Sequence, residues 1–82
     1  MNRRKRLLRI MQSPTNVRFG DMTDLLGRFG FVQKRTSGSH HIFQHSDIPE
    51  SLNMQEVDGQ AKPYQIRQFL RIVERYNLEM KD

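Results

Sequence analysis

The chain has 82 residues, 35% of them hydrophobic and 28% charged, so one soluble globular domain spanning 1–82 with a modest core is expected. It has no cysteine, which excludes disulfides, thiolate metal sites and cysteine nucleophiles. Fourteen Lys+Arg against nine Asp+Glu leave a formal charge of +5, which suits nucleic acid or an acidic protein partner without separating the two.

The first stretch, Asn2 to Met11, begins like a secretory signal, but its apolar run is short and Arg9 interrupts it. No stretch reaches membrane-spanning length, and a soluble, cytoplasmic protein is expected. Residues 3–12 instead fit a short basic helix. Leu7, Ile10 and Met11 share one face, while Arg3, Arg4, Lys5, Arg6 and Arg9 load the others. Most of these cations read as a solvated face; a basic arm for RNA or a partner is the other reading. Ser13-Pro14 ends this helix, because proline disfavours helical geometry in the residue before it.

Residues 14–20 are a connector with Val17 and Phe19 as apolar anchors. Met22, Leu25, Leu26 and Phe29 then fall at i, i+3, i+4 and i+7, which predicts an amphipathic helix over 21–29. Asp21 is placed to cap it or to favour its dipole, and Gly30 to end it with Phe31 packing back. A hairpin over 31–45 follows, with Ser37-Gly38 as its turn. If Phe43 points into the core, strand alternation sends His41 the same way, and His40, Ile42 and Gln44 outward. Ile48 to Ser51 is a loop. Leu52 and Met54 alternate with polar neighbours, which predicts a third strand over 52–57. Asp58 to Lys62 reads as a turn into a last helix over 63–77, with Pro63 in its first position and Ile66, Phe69, Leu70, Val73 and Asn77 on one face. Arg67, Arg71 and Arg75 form a stripe along its exposed side. Two readings of the stripe stand level: a solvated face whose arginines pair with Glu74 or Glu79, or a contact for phosphate or an acidic partner.

The order helix, helix, strand, strand, strand, helix gives an α+β fold: a three-stranded antiparallel sheet with helices on one face and the other face open. The core over 19–77 has the α-β-β-β-α arrangement of a double-stranded-RNA-binding domain, with one extra helix in front. His40 falls on the open face. Imidazole is the side chain whose ordinary titration lets it give or take a proton near neutrality, so His40 has two readings, a lone acid/base or a polar residue on a solvated strand. Residue types alone favour the second. His40, His41, His45 and Asp47 are close in sequence, but neighbouring strand residues point apart and the spacing matches no zinc or magnesium motif. No metal or other cofactor is expected.

Gly30-Phe31, then Gly38-Ser39-His40-His41-Ile42-Phe43, then Lys62-Pro63 and Ile66-Arg67, in that order and spacing, resemble the HicA family of bacterial toxin–antitoxin toxins. The resemblance covers about residues 19–76. It implies a small messenger-RNA-cleaving endoribonuclease of double-stranded-RNA-binding-like fold with the histidine after Gly-Ser, here His40, as its catalytic residue. It further implies a HicB-type antitoxin that covers the face around His40, so that the toxin is monomeric when free and hetero-oligomeric when neutralised. Where the family carries a polar pair after the third strand and Lys-Glu before Lys-Pro, this chain has Glu56-Val57-Asp58-Gly59-Gln60-Ala61. Lys34, Arg35, Gly38, Ser39, Lys62 and Arg67 are the expected RNA contacts. The alternative is a non-catalytic RNA-binding module on the same basic surface.

Overall fold

The computed structural model describes residues 3–81; Asp82 of the tail and the side chain of Arg3, counted above among the basic helix's cations, lie outside that description. The elements are α1 (Arg3–Gln12), α2 (Phe19–Arg28), β1 (Val32–Ser37), β2 (His40–Gln44), β3 (Ser51–Val57), β4 (Gln60–Ala61) and α3 (Pro63–Arg75). The strands form one antiparallel sheet in the order β1-β2-β3-β4.

The three-stranded expectation is therefore corrected to four strands. The segment read as a plain turn is a hairpin: Val57 pairs with Gln60, and Asp58 and Gly59 between them take φ of 52° and 78°. Positive φ at both central positions is the type I′ geometry that Asp-Gly favours and that matches strand twist. β4 in turn pairs with the connector. Phe19 N–H donates to the Gly59 carbonyl and Ala61 N–H to the Val17 carbonyl, both at 2.9 Å, and Arg18 bridges to Gln60. This pairing holds the chain at Arg18 and starts α2 at Phe19, two residues before the expected boundary. Arg18 takes the N-cap position without a side-chain cap, so of the two roles expected of Asp21 it fills the second: it sits inside the first turn, where a carboxylate favours the helix dipole, 3.8 Å from Arg6.

The α2 stop follows the sequence closely. Gly30 has φ of 90°, Gly30 N–H donates to the Gly27 carbonyl, and Phe31 N–H reaches back to the Leu26 carbonyl at 3.0 Å, closing the helix with a left-handed residue. Phe31 packs edge-on to Phe69, as does Phe29. A Cβ at Gly30 would stand 2.9 Å from His45 Nε2, so a side chain there meets both strain and a clash.

One core lies between the helices and the inner sheet face, built from Met22, Leu25, Leu26, Phe43, Leu52, Met54, Ile66 and Phe69 among others. α1 joins it by Leu7, which is fully buried, and Ile10. On α3 the buried positions are Gln65, Ile66, Phe69 and Ile72. Leu70 and Val73 only flank this core. Asn77, expected on the apolar face, lies beyond the helix end with φ of 53° and is exposed, because the helix stops at Arg75. Among the described residues Arg75 pairs not with Glu74 or Glu79 but with Glu50, whose carboxylate its guanidinium meets at 2.8 Å. The same carboxylate accepts the Tyr76 hydroxyl, so the loop after β2 is tied to the end of α3. That bond, with the neighbouring negative charge, raises the Tyr76 phenol above the usual tyrosine value. Among the described residues, no helix is long and apolar enough to cross a membrane.

Candidate functional site

The β1–β2 hairpin turns through a two-residue loop, Gly38-Ser39, since Ser37 pairs with His40. Gly38 takes φ of 60°, and a glycine at the first central position is what a type II′ turn requires. The turn is thus one residue later than Ser37-Gly38. The Ser39 carbonyl accepts the Glu56 N–H at 3.1 Å, which locks the turn onto β3. His40 follows as the first residue of β2.

The alternation expected for β2 holds. Phe43 is buried and His40 and Gln44 are exposed. His41 points to the helix side, where its ring lies 4.7 Å from that of Phe19. Its Nδ1 is 3.2 Å from Gln33 Nε2 and 3.5 Å from Thr36 Oγ1. His45 is engaged differently: its Nδ1 accepts the Asp47 backbone N–H at 3.0 Å, and its ring packs on Phe31. The three histidines therefore occupy three separate environments. No group of three or more His, Asp or Glu positioned for a metal ion occurs among the described residues.

On the outer face, His40 pairs across β3 with Gln55, and Ile42 pairs with Asn53. The Asn53 amide reaches diagonally to His40 Nδ1, with Nδ2 at 2.9 Å and Oδ1 at 3.2 Å. Diagonal neighbours on one sheet face are within reach of such side chains. A neutral amide can serve either imidazole tautomer. Its oxygen accepts from a protonated Nδ1 and leaves Nε2 as a base; its nitrogen donates to a bare Nδ1 and leaves Nε2 carrying the proton. Sequence reasoning missed Asn53, because only the β2–β3 register brings it to His40.

The other expected contacts fall into two groups. Arg35 pairs with Ile42 and so shares the outer face. Lys34 is the extra residue of a β-bulge between Gln33 and Arg35 and lines a shallow depression with Val32 and Gln44. Bulges re-aim side chains at sheet edges. Gly38 and Ser39 form the turn beside His40. At the opposite edge Arg18, which sequence reasoning did not mark, pairs with outward-facing Gln60 and adds a cation there. Lys62 precedes α3, its Nζ 5.9 Å from the ring centre of Tyr64. Arg67 is exposed on α3, three residues after Tyr64 on the same helix.

No curated protein and no solved structure matches the chain. A family model described as the HicA toxin of bacterial toxin–antitoxin matches residues 20–74, more than half of the 82; the chain belongs to the HicA toxin family and is a toxin of a toxin–antitoxin system.

Proposed function

We propose that this toxin is a metal-independent endoribonuclease that cleaves messenger RNA with His40 as its single catalytic residue. The observation that carries the reading is the exposed imidazole of His40 on the open sheet face, held at Nδ1 by the Asn53 amide with Nε2 left for substrate. RNA supplies its own nucleophile, the 2′-hydroxyl beside each phosphate, so the protein has only to move protons and stabilise added negative charge. His40 Nε2 takes the 2′-hydroxyl proton or gives one to the departing 5′-oxygen. Arg35 on the outer face of β1, Lys34 in the β1 bulge and Lys62 just before α3 are the cations for the phosphate and the flanking backbone. Ser39 and Gly38 present the turn to the same backbone, and Arg67 extends the basic surface along α3.

The family membership supports a protein antitoxin of the HicB type that covers the outer face and competes with RNA in the cytoplasm. The chain is then monomeric when free and hetero-oligomeric when neutralised. In this reading the fold is an 82-residue double-stranded-RNA-binding-like domain with β4 and α1 added.

The test is incubation of the chain and of His40→Ala with messenger RNA in EDTA. The wild type is expected to degrade the RNA, and His40→Ala to lose about a hundred- to ten-thousand-fold in rate while still binding, the usual share of one acid/base group. Equal cleavage by both removes His40 from the mechanism. Intact RNA in both, with binding retained, identifies a binding module instead.

A further inference from the structure

We infer that Tyr64, with Lys62, forms a subsite in which a base of single-stranded RNA stacks beside the scissile phosphate; the inference rests on the ribonuclease reading of His40. Among the described residues the five phenylalanines are buried, and Tyr76 is half-buried and bonded to Glu50. Tyr64 alone of the described phenylalanines and tyrosines is more than half exposed, at 55%. It is not part of the core, and its hydroxyl accepts only a long 3.4 Å bond from Gln65 Nε2 among the described residues.

Its position is set by a specific device. β4 pairs only with Glu56 and Val57, so the Gln55 N–H on that edge has no strand partner. Gln65, 3% exposed, fills the gap, and its Oε1 accepts that N–H at 2.7 Å. Gln55 is the residue directly opposite His40. The first turn of α3 is thereby fastened beside the strand position facing the imidazole. With strands about 4.8 Å apart, Tyr64 stands roughly two strand widths from the His40 strand, in reach of a neighbouring nucleotide. The Lys62 ammonium, 5.9 Å from the ring centre, is at the outer limit of a cation–π contact and free to meet a phosphate. An exposed aromatic face with a cation at its edge is the combination that holds single-stranded nucleic acid without reading its sequence.

The experiment measures binding of a labelled single-stranded oligoribonucleotide by fluorescence anisotropy in the full-length His40→Ala chain, alone and combined with Tyr64→Ala or Tyr64→Phe. Cleavage is followed in parallel with His40 intact. Tyr64→Ala is expected to weaken binding about five- to hundred-fold, with an unchanged thermal midpoint because the ring is exposed. Tyr64→Phe, which keeps the π face, is expected to bind like the parent. An abasic nucleotide at one fixed distance from the cleaved bond should cancel the difference between the parent and the Tyr64→Ala chain, as a double-mutant cycle requires of direct partners. Unchanged binding by Tyr64→Ala, with His40-dependent cleavage intact, overturns the subsite and leaves the ribonuclease reading standing. Equal losses in the Tyr64→Phe and Tyr64→Ala variants overturn stacking in favour of the hydroxyl. Absence of both binding and cleavage in the parent chains removes the two readings together.

Discussion

Asn53 places its side-chain amide against His40 Nδ1, with the nitrogen at 2.9 Å and the oxygen at 3.2 Å. The two residues lie thirteen apart in sequence and meet only through the β2–β3 register. Because the amide is neutral, it orients the ring without forcing the proton onto one nitrogen. Asn53→Ala is expected to retain the fold and to slow RNA cleavage about ten- to hundred-fold, the range for removing a partner that orients a metal-bound imidazole. The accompanying readout is the His40 tautomer ratio from ¹⁵N shifts, which should change in Asn53→Ala. Unaltered cleavage and tautomer ratio would make the contact incidental.

Gln65 is the one buried polar side chain among the described residues, and its oxygen is the acceptor for the Gln55 N–H. Gln65→Leu keeps comparable bulk but orphans that donor. It is expected to cost about 1–3 kcal/mol in urea unfolding, the usual penalty for an unpaired buried group. Gln65→Glu keeps an acceptor and should lose less. A leucine variant as stable as the parent would show that water satisfies Gln55 instead.

α1 lies outside the family-matched segment 20–74, yet Leu7 is fully buried and Ile10 nearly so. The helix is part of the core and not a detached arm. Leu7→Ala should therefore destabilise the whole chain by about 2–5 kcal/mol, read as one cooperative transition by circular dichroism. A variant that unfolds like the parent would mean that α1 is dispensable.

The Tyr76 hydroxyl donates to Glu50, and its phenol is raised above the ordinary value mainly by that bond. A group whose folded value is raised contributes stability that is fully present below its unfolded value, about 10 for tyrosine, and is lost as pH rises through the folded value. The thermal midpoint should thus fall more steeply above about pH 10 in the parent than in Tyr76→Phe. The tyrosinate absorbance that disappears in the variant should titrate above a free phenol. Parallel pH profiles for the two proteins would contradict the assignment.

Local periodicity in the sequence was enough for much of this architecture. The i, i+3, i+4, i+7 stripe of α2, the left-handed Gly30 with Phe31 behind it, Pro63 at the start of α3 and the outward parity of His40 each depend on a few neighbouring residues. The Gly-Ser-His-His run and Lys-Pro were likewise legible as family marks. What the tertiary structure decided are pairings between distant residues: Arg18 with Gln60, Gln55 with Gln65, His40 with Asn53, Glu50 with Arg75 and Tyr76. The fourth strand belongs to the same class. Two residues are too few to show a period of their own, and β4 exists because a type I′ Asp-Gly turn folds Gln60-Ala61 onto β3 while the connector at 17–19 covers its other edge. Side-chain alternation set which face His40 occupies. Register between strands, a property of the whole packed chain, set what stands beside it.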